Sequence, residues 1–139
     1  MTAITATILQ TKEVPGALIV SEALEAITRG QFVYTPDLNN TFGIAKNTTA
    51  EKAIVAGIAL ASCALGDDFP LLLGDNNVFI LDNTLTGLAD GLEYYIGNNG
   101  QLVEIGDLGS GAWKTLVAFY SSSDDSFKTH FYPTGKQIA

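Results

Sequence analysis

The sequence predicts an all-β fold: a small antiparallel β-barrel or sandwich of about ten short strands, with an extended N-terminal arm. Three observations predict it. Apolar and polar residues alternate with a period of two rather than 3.6. The apolar runs are rich in β-branched and aromatic side chains, which fit a pleated surface. Four times a glycine stands just ahead of such a run, at Gly30, Gly66, Gly91 and Gly111. Glycine tolerates the positive φ or tight bend that starts a new strand. At 139 residues the chain makes one domain, long enough to bury roughly two-thirds of its unfolded surface without a disulfide or metal.

Taken in order, residues 2–10 alternate and read as a strand, and Val14-Pro15-Gly16 breaks it. Ala17-Leu18-Ile19-Val20 is a short apolar strand. Residues 1–20 are read as the arm and residues 21–139 as the β domain. Residues 21–28 show both a spacing-three pattern and an alternation. Eight residues without a sustained stripe are marginal as a helix, so the strand is preferred. Gln31-Phe32-Val33-Tyr34 and Thr41–Lys46 follow as strands. Residues 53–61 read as a buried strand in which Gly57 marks the close approach of another backbone. Phe69–Leu73 and Val78–Leu81 come next. Asn98-Asn99-Gly100 is a hairpin turn between Tyr94-Tyr95-Ile96 and residues 101–105. Residues 113–132 form a final hairpin closed by Pro133 and Gly135.

Composition narrows function. Seven basic residues against 15 acidic ones give a net charge of −8. The basic residues are scattered singly, so no stripe exists to neutralise phosphates or dock on an anionic membrane. Charged residues make up only 16% of the chain, against roughly 25% in an average soluble domain. A surface of Thr, Ser, Asn and Gly suits faces that pack against partners. No segment reaches the ~18 apolar residues of a membrane span. The N-terminus lacks the basic segment and apolar core of a signal peptide, so the chain is expected to be made and kept in the cytoplasm, or assembled there into something larger.

Candidate chemistry is sparse. His130 and Cys63 are the single histidine and cysteine. That count excludes His/Cys metal sites, and no nucleophile pattern surrounds either residue. Cys63 lies in an apolar run and reads as a small buried hydrophobe. Asp75-Asn76-Asn77, Asp82-Asn83 and Asp124-Asp125 offer oxygen ligands for calcium. Their spacing is not that of an EF-hand, and turn residues are the simpler reading. Asp67-Asp68 and the Glu93/Glu104 pair are the carboxylates to weigh for glycoside hydrolysis. The simpler account puts both glutamates on the solvated face of a hairpin. Residues 106–111 resemble a phosphate loop but lack its Lys-Ser/Thr and lead into a strand, so they read as a flexible turn. No catalytic residue, cofactor or metal is assigned.

Residues 25–34 (Glu-Ala-Ile-Thr-Arg-Gly-Gln-Phe-Val-Tyr), Val55–Leu60, Gly66–Leu71 and Asp90–Ile96 together resemble a pattern in bacteriophage capsid decoration (cement) and head-fibre proteins. The likeness covers about residues 23–120. It departs at Arg29 and Asp90, where a small residue is usual, and at Pro70, which suggests an edge strand or a bulge. The resemblance implies a non-enzymatic structural protein of the virion. It would bind the major capsid protein from outside, commonly as a homotrimer, and stiffen the shell. It further implies that the arm adds a strand to a neighbour, with Ile4, Ile8, Leu9, Leu18 and Val20 as contact residues. The competing reading is a receptor- or carbohydrate-binding module of a phage fibre or spike.

Overall fold

The computed structural model describes residues 8–12, 18–37, 40–74, 78–81, 91–121 and 126–138. Those residues are all-β. In chain order the strands are β1 (Ile8–Lys12), β2 (Leu18–Ala23), β3 (Phe32–Tyr34), β4 (Thr41–Ile44), β5 (Gly57–Ala59), β6 (Asp68–Leu73), β7 (Val78–Leu81), β8 (Glu93–Ile96), β9 (Leu102–Val103), β10 (Trp113–Ser121) and β11 (Ser126–Gln137). One turn of 3-10 helix, Ile105–Asp107, is the sole helical element among them. No helix there is long and apolar enough to cross a membrane.

Five strands close into a barrel in the order β2-β4-β3-β5-β6, and six form a sheet in the order β1-β7-β11-β10-β8-β9. The expected barrel is therefore present, with a sheet packed on it. All pairings are antiparallel except β2 with β4, which run parallel.

Alternation deals the barrel strands between two cores. Val33, Ala59 and Leu71 point inward with Phe42, Phe69, Ile27 and Ile44. Their neighbours Phe32, Tyr34, Ile58 and Leu72 point outward and meet Tyr94, Ile96, Leu102, Val117, Tyr120 and Phe127 of the sheet. That is why Phe-Val-Tyr and Leu-Leu-Leu are continuous apolar runs: a strand buried on both faces needs no polar side. Phe32 meets Phe131 edge-on across this interface, with ring centroids 6.1 Å apart.

The glycine rhythm has a structural cause. Gly30, Gly66, Gly91 and Gly111 all have positive φ, and each stands two residues before its strand, β3, β6, β8 or β10. Three sit at the third position of a turn closed by a bond from the fourth residue to the first: Gln31 N–H to Thr28 O, Asp67 N–H to Ala64 O, and Ala112 N–H to Gly109 O. A positive φ at that position makes a turn of type II or I′, which favours glycine there. Each glycine N–H then reaches a neighbouring segment of the same chain, Gly30 to Ala59 O and Gly66 to Ala23 O, for example.

The short strand expected at 17–20 is present as the first half of β2, where Leu18, Ile19 and Val20 pair with Leu72, Leu71 and Pro70 of the barrel. Elsewhere the structure corrects the strand reading. Residues 24–28 form no strand beyond a single bridge from Ile27 to Cys63, because the Glu25 side chain takes over a strand's role and accepts the Ile44 N–H. In the 53–61 run only Gly57–Ala59 is strand. The chain enters it from a turn, with Ala53 N–H donating to Thr49 O. The expected strand 101–105 stops at Val103, and Ile105, its expected last residue, begins the 3-10 turn. Pro133 and Gly135 do not close the last hairpin. β11 runs on to Gln137: Pro133 pairs with Thr115, and Gly135 falls in the stretch where the register shifts between Trp113 and Thr115.

Pro70 is not on an edge strand, since β6 pairs with β2 on one side and β5 on the other. Its carbonyl accepts the Leu60 N–H, so its missing donor faces the side on which β5 ends at Ala59. The ladder has run out there, and little is lost.

Barrel and sheet are laced together by main chain as well as by side chains. Gly100, at the tip of the β8–β9 hairpin, accepts from Phe32 N–H and donates to Ala45 O. A Cβ there would stand 3.0 Å from both Gln31 Cβ and Ile44 Cγ2, so the turn glycine also lets the hairpin seat in the barrel wall.

Candidate functional site

The β2–β6 ribbon carries the most conspicuous exposed feature. In β2, Ser21 and Ala23 are buried while Leu18, Val20 and Glu22 face out. Their direct partners on β6 are Leu72, Pro70 and Asp68. Leu72 is covered by the shared core. Leu18, at the start of β2, and Val20, within it, stay 49% and 66% exposed, and half-buried Pro70 lies beside Val20. The strip ends in carboxylates. Glu22 stands opposite Asp68, both exposed, and like charges placed so are unfavourable. On its other side Glu22 pairs with Thr41 of β4. The Thr41 N–H and hydroxyl are held by Asp37 at 2.9 Å. Those bonds, the backbone one first, keep the Asp37 carboxyl below its ordinary range. Among the described residues no cation meets Glu22 or Asp68.

Of the residues picked from sequence, Leu18 and Val20 thus come together on one exposed face. Ile8 and Leu9 belong to β1, an outer strand of the sheet that pairs with this chain's own β7. Ile4 lies outside the described residues, as do Asp75, Asn76, Asn77, Asp82, Asn83, Asp124 and Asp125. Among the described residues no group of three or more His, Cys, Asp or Glu side chains could hold a metal.

The carboxylate pair separates. Tyr95 pairs with Val103 and Ile96 with Leu102. Extending that register by one residue sets Glu104 opposite Tyr94 and leaves Glu93 on the other face. Glu104 therefore adds to the rise of Tyr94, and Glu93 to that of Tyr95. The two glutamates do not share the solvated face expected of them. Asp67 is a turn residue near the Ala64 N–H. His130 is exposed on β11 with its ring 6.0 Å from that of Phe119. Cys63 is half-buried against the barrel core, and burial pushes its thiol up.

Tyr94 is the one buried polar side chain left over among the described residues. It is 1% exposed, and its hydroxyl has no hydrogen-bond partner. Burial first, then Glu104 and Tyr120, push its pKa up to about 12. The unfolded chain gives up this proton near the ordinary value of 10, so between the two values it binds fewer protons than the fold does. Stability falls as pH rises through that window and is unaffected below it. Tyr94→Phe removes the unpaired hydroxyl and should raise stability by about 1 kcal/mol at neutral pH. It should also shrink the alkaline loss. Urea unfolding at pH 7 and pH 11 reads both, and a destabilised Tyr94→Phe would show that the hydroxyl is satisfied.

Sequence reasoning missed a cleft. About 670 Å³ in volume, it is lined by Asn47, Thr48, Gly97, Asn98, Gln101, Val103, Gly109, Ser110, Gly111 and Ala112. These come from the turn at 47–48 and, some fifty residues on, from two neighbouring turns at 97–101 and 109–112. The 109–112 turn, expected to be flexible, is anchored: Gly111 donates to Ile138 O, and its own carbonyl accepts from Gln137 Nε2 at 2.9 Å. The lining offers amides and hydroxyls and no carboxylate, imidazole or thiol, so it can hydrogen-bond a ligand but has no group suited to proton transfer at neutral pH.

No protein-family profile matches the sequence, and no curated protein or solved structure is detectably similar to it.

Proposed function

We propose that this chain is a non-catalytic docking domain that binds the outside of a bacteriophage capsid, as a trimer, and stabilises the shell. The observation that carries the reading is the exposed Leu18–Val20–Pro70 strip with Glu22, Asp68 and Asp37 at its end. Exposed apolar strips rimmed by polar residues mark protein contact sites. The sequence likeness to decoration proteins supports the choice of a capsid as partner. The net charge of −8 keeps free trimers from associating further before assembly and makes a partner surface with Lys or Arg beside an apolar ridge the best complement. A stable complex needs at least about 1,000 Å² of buried surface, more than the strip alone supplies, so neighbouring faces contribute.

The test uses phage shells stripped of decoration protein. The chain should co-sediment with them, raise their resistance to heat, and leave at high salt more readily than at low salt. Shells that neither bind it nor gain heat resistance would contradict the reading. Light scattering of the free chain at high concentration should give three times the chain mass, and a monomer there would remove the trimer from the proposal.

A further inference from the structure

We propose that the cleft between the 97–101 hairpin and the 109–112 turn binds a short neutral saccharide, independently of the docking face. Asn47 is the anchor. It is 9% exposed, and its Nδ2 donates to Ile96 O at 3.3 Å. Its main chain is also used, N–H to Gly97 O and carbonyl from Trp113 N–H. Its side-chain Oδ1 has no partner among the described residues, and the residue lines the cleft. An open acceptor on a residue held this firmly is a fixed point for a ligand donor.

The other free groups of the cleft are also side chains. Asn98 spends its Oδ1 on Gln101 Nε2 at 3.0 Å and keeps both Nδ2 hydrogens. The Thr48 and Ser110 hydroxyls make no bond among the described residues. The surrounding main chain is largely taken. Gly97 donates to Gln101 O and accepts from Asn47, the Gly109 carbonyl accepts from Ala112, and both polar groups of Gly111 are engaged. An extended peptide would want a row of free main-chain groups, and the walls do not supply one. An anion would want a cation or a helix N-terminus, and the lining holds neither. A neutral polyol suits the set: its hydroxyls both give and accept, matching one fixed acceptor, one amide donor and two rotating hydroxyls. The side chains of Val103 and Ala112 provide apolar surface for its C–H face. The walls are preorganised, because Gln101 Oε1 also accepts the Asn99 N–H at 2.7 Å, so little order must be gained on binding.

The full-length chain, labelled with ¹⁵N, is titrated with maltotriose, cellotriose, chitotriose and mannotriose at up to about 20 mM, an affinity range typical of weak sites. Sialyllactose and trialanine serve as the anionic and peptide probes. At least one neutral trisaccharide should move the Asn47 and Asn98 side-chain amide signals together with the Gly97, Ser110 and Gly111 backbone signals. Ser110→Trp, at an exposed turn position, should weaken that binding at least about tenfold while leaving the rest of the spectrum unchanged. Asn47→Ala should abolish it, but it also removes a bond to Ile96, so Ser110→Trp is the deciding variant. The proposal is overturned if no neutral saccharide shifts these signals, if the shifts lie elsewhere, if they survive in Ser110→Trp, or if trialanine or sialyllactose binds the cleft as well. None of these outcomes bears on shell binding.

Discussion

Gly57→Ala is expected to cost about 3 kcal/mol, at the top of the range for overpacking a tight site. That is a loss of roughly 10 °C in Tm for a domain of this size. Gly57 lies in β5 opposite Leu73. A Cβ there would collide with the Leu72 carbonyl oxygen and stand 3.1 Å from Leu71 Cδ1. A flexible side chain could move aside, but a carbonyl inside a ladder cannot. β5 and β6 are neighbours in a closed barrel, so any shift passes to β3 and β2. Leu72 and Leu71 serve the shared and the inner core respectively, so the shift disturbs both. Gly66→Ala is the comparison. It needs a positive φ but meets nothing within 4 Å, so its cost is set by the backbone alone, roughly 1 kcal/mol. Thermal unfolding of the two variants separates these causes. Equal losses would mean that the β5–β6 approach is not tight.

The Leu18→Asp/Val20→Asp double variant is expected to weaken shell binding by at least about 100-fold, the scale of removing two contact residues at the centre of an interface. Both side chains face away from the barrel core and are about half or more exposed, so Tm should change by no more than a few degrees. The added carboxylates would join Glu22 and Asp68 and extend the acidic end of the strip. The Glu22→Lys/Asp68→Lys variant should also weaken binding and reverse its salt dependence, since like charge would now face the basic partner surface. Ile19→Ala is the internal control. Ile19 packs against the barrel core, so truncation should lower stability and leave affinity intact. Retention of full affinity by the double variant would move the contact site elsewhere.

What the sequence made legible is what neighbouring residues decide. The turn glycines Gly30, Gly66 and Gly111 were visible because a positive φ is a local demand. Gly57 was visible as a close approach because a glycine inside an apolar strand forgoes the side-chain packing such a strand exists to provide. Asn98-Asn99-Gly100 was visible as a hairpin because its turn chemistry is local. The parallel β2–β4 pairing was not, because it joins Glu22 to Thr41 across an intervening strand. Pro70 misled, because the missing donor matters only if a partner stands on that side. Residues 24–28 looked like strand because nothing local reveals that the Glu25 carboxylate will replace a main-chain acceptor for Ile44. Leu18 and Val20 lie in the segment that reads as an arm, and their exposure on a barrel strand follows from a pairing with β6 that lies some fifty residues away in the chain. The cleft was hidden because Asn47, Asn98 and Ser110 sit in three turns, each unremarkable, and only the Asn47–Gly97 and Asn47–Trp113 bonds bring them together.

Hydroxyl-radical footprinting of the chain, free and on shells, tests the docking face most directly, because it reads side-chain exposure rather than backbone pairing. Oxidation of Leu18, Val20 and Pro70 should fall at least severalfold on binding, with the exposed Leu65 at the barrel end as the reference. Bound chain in which Leu18 and Val20 oxidise as fast as in the free protein would contradict it.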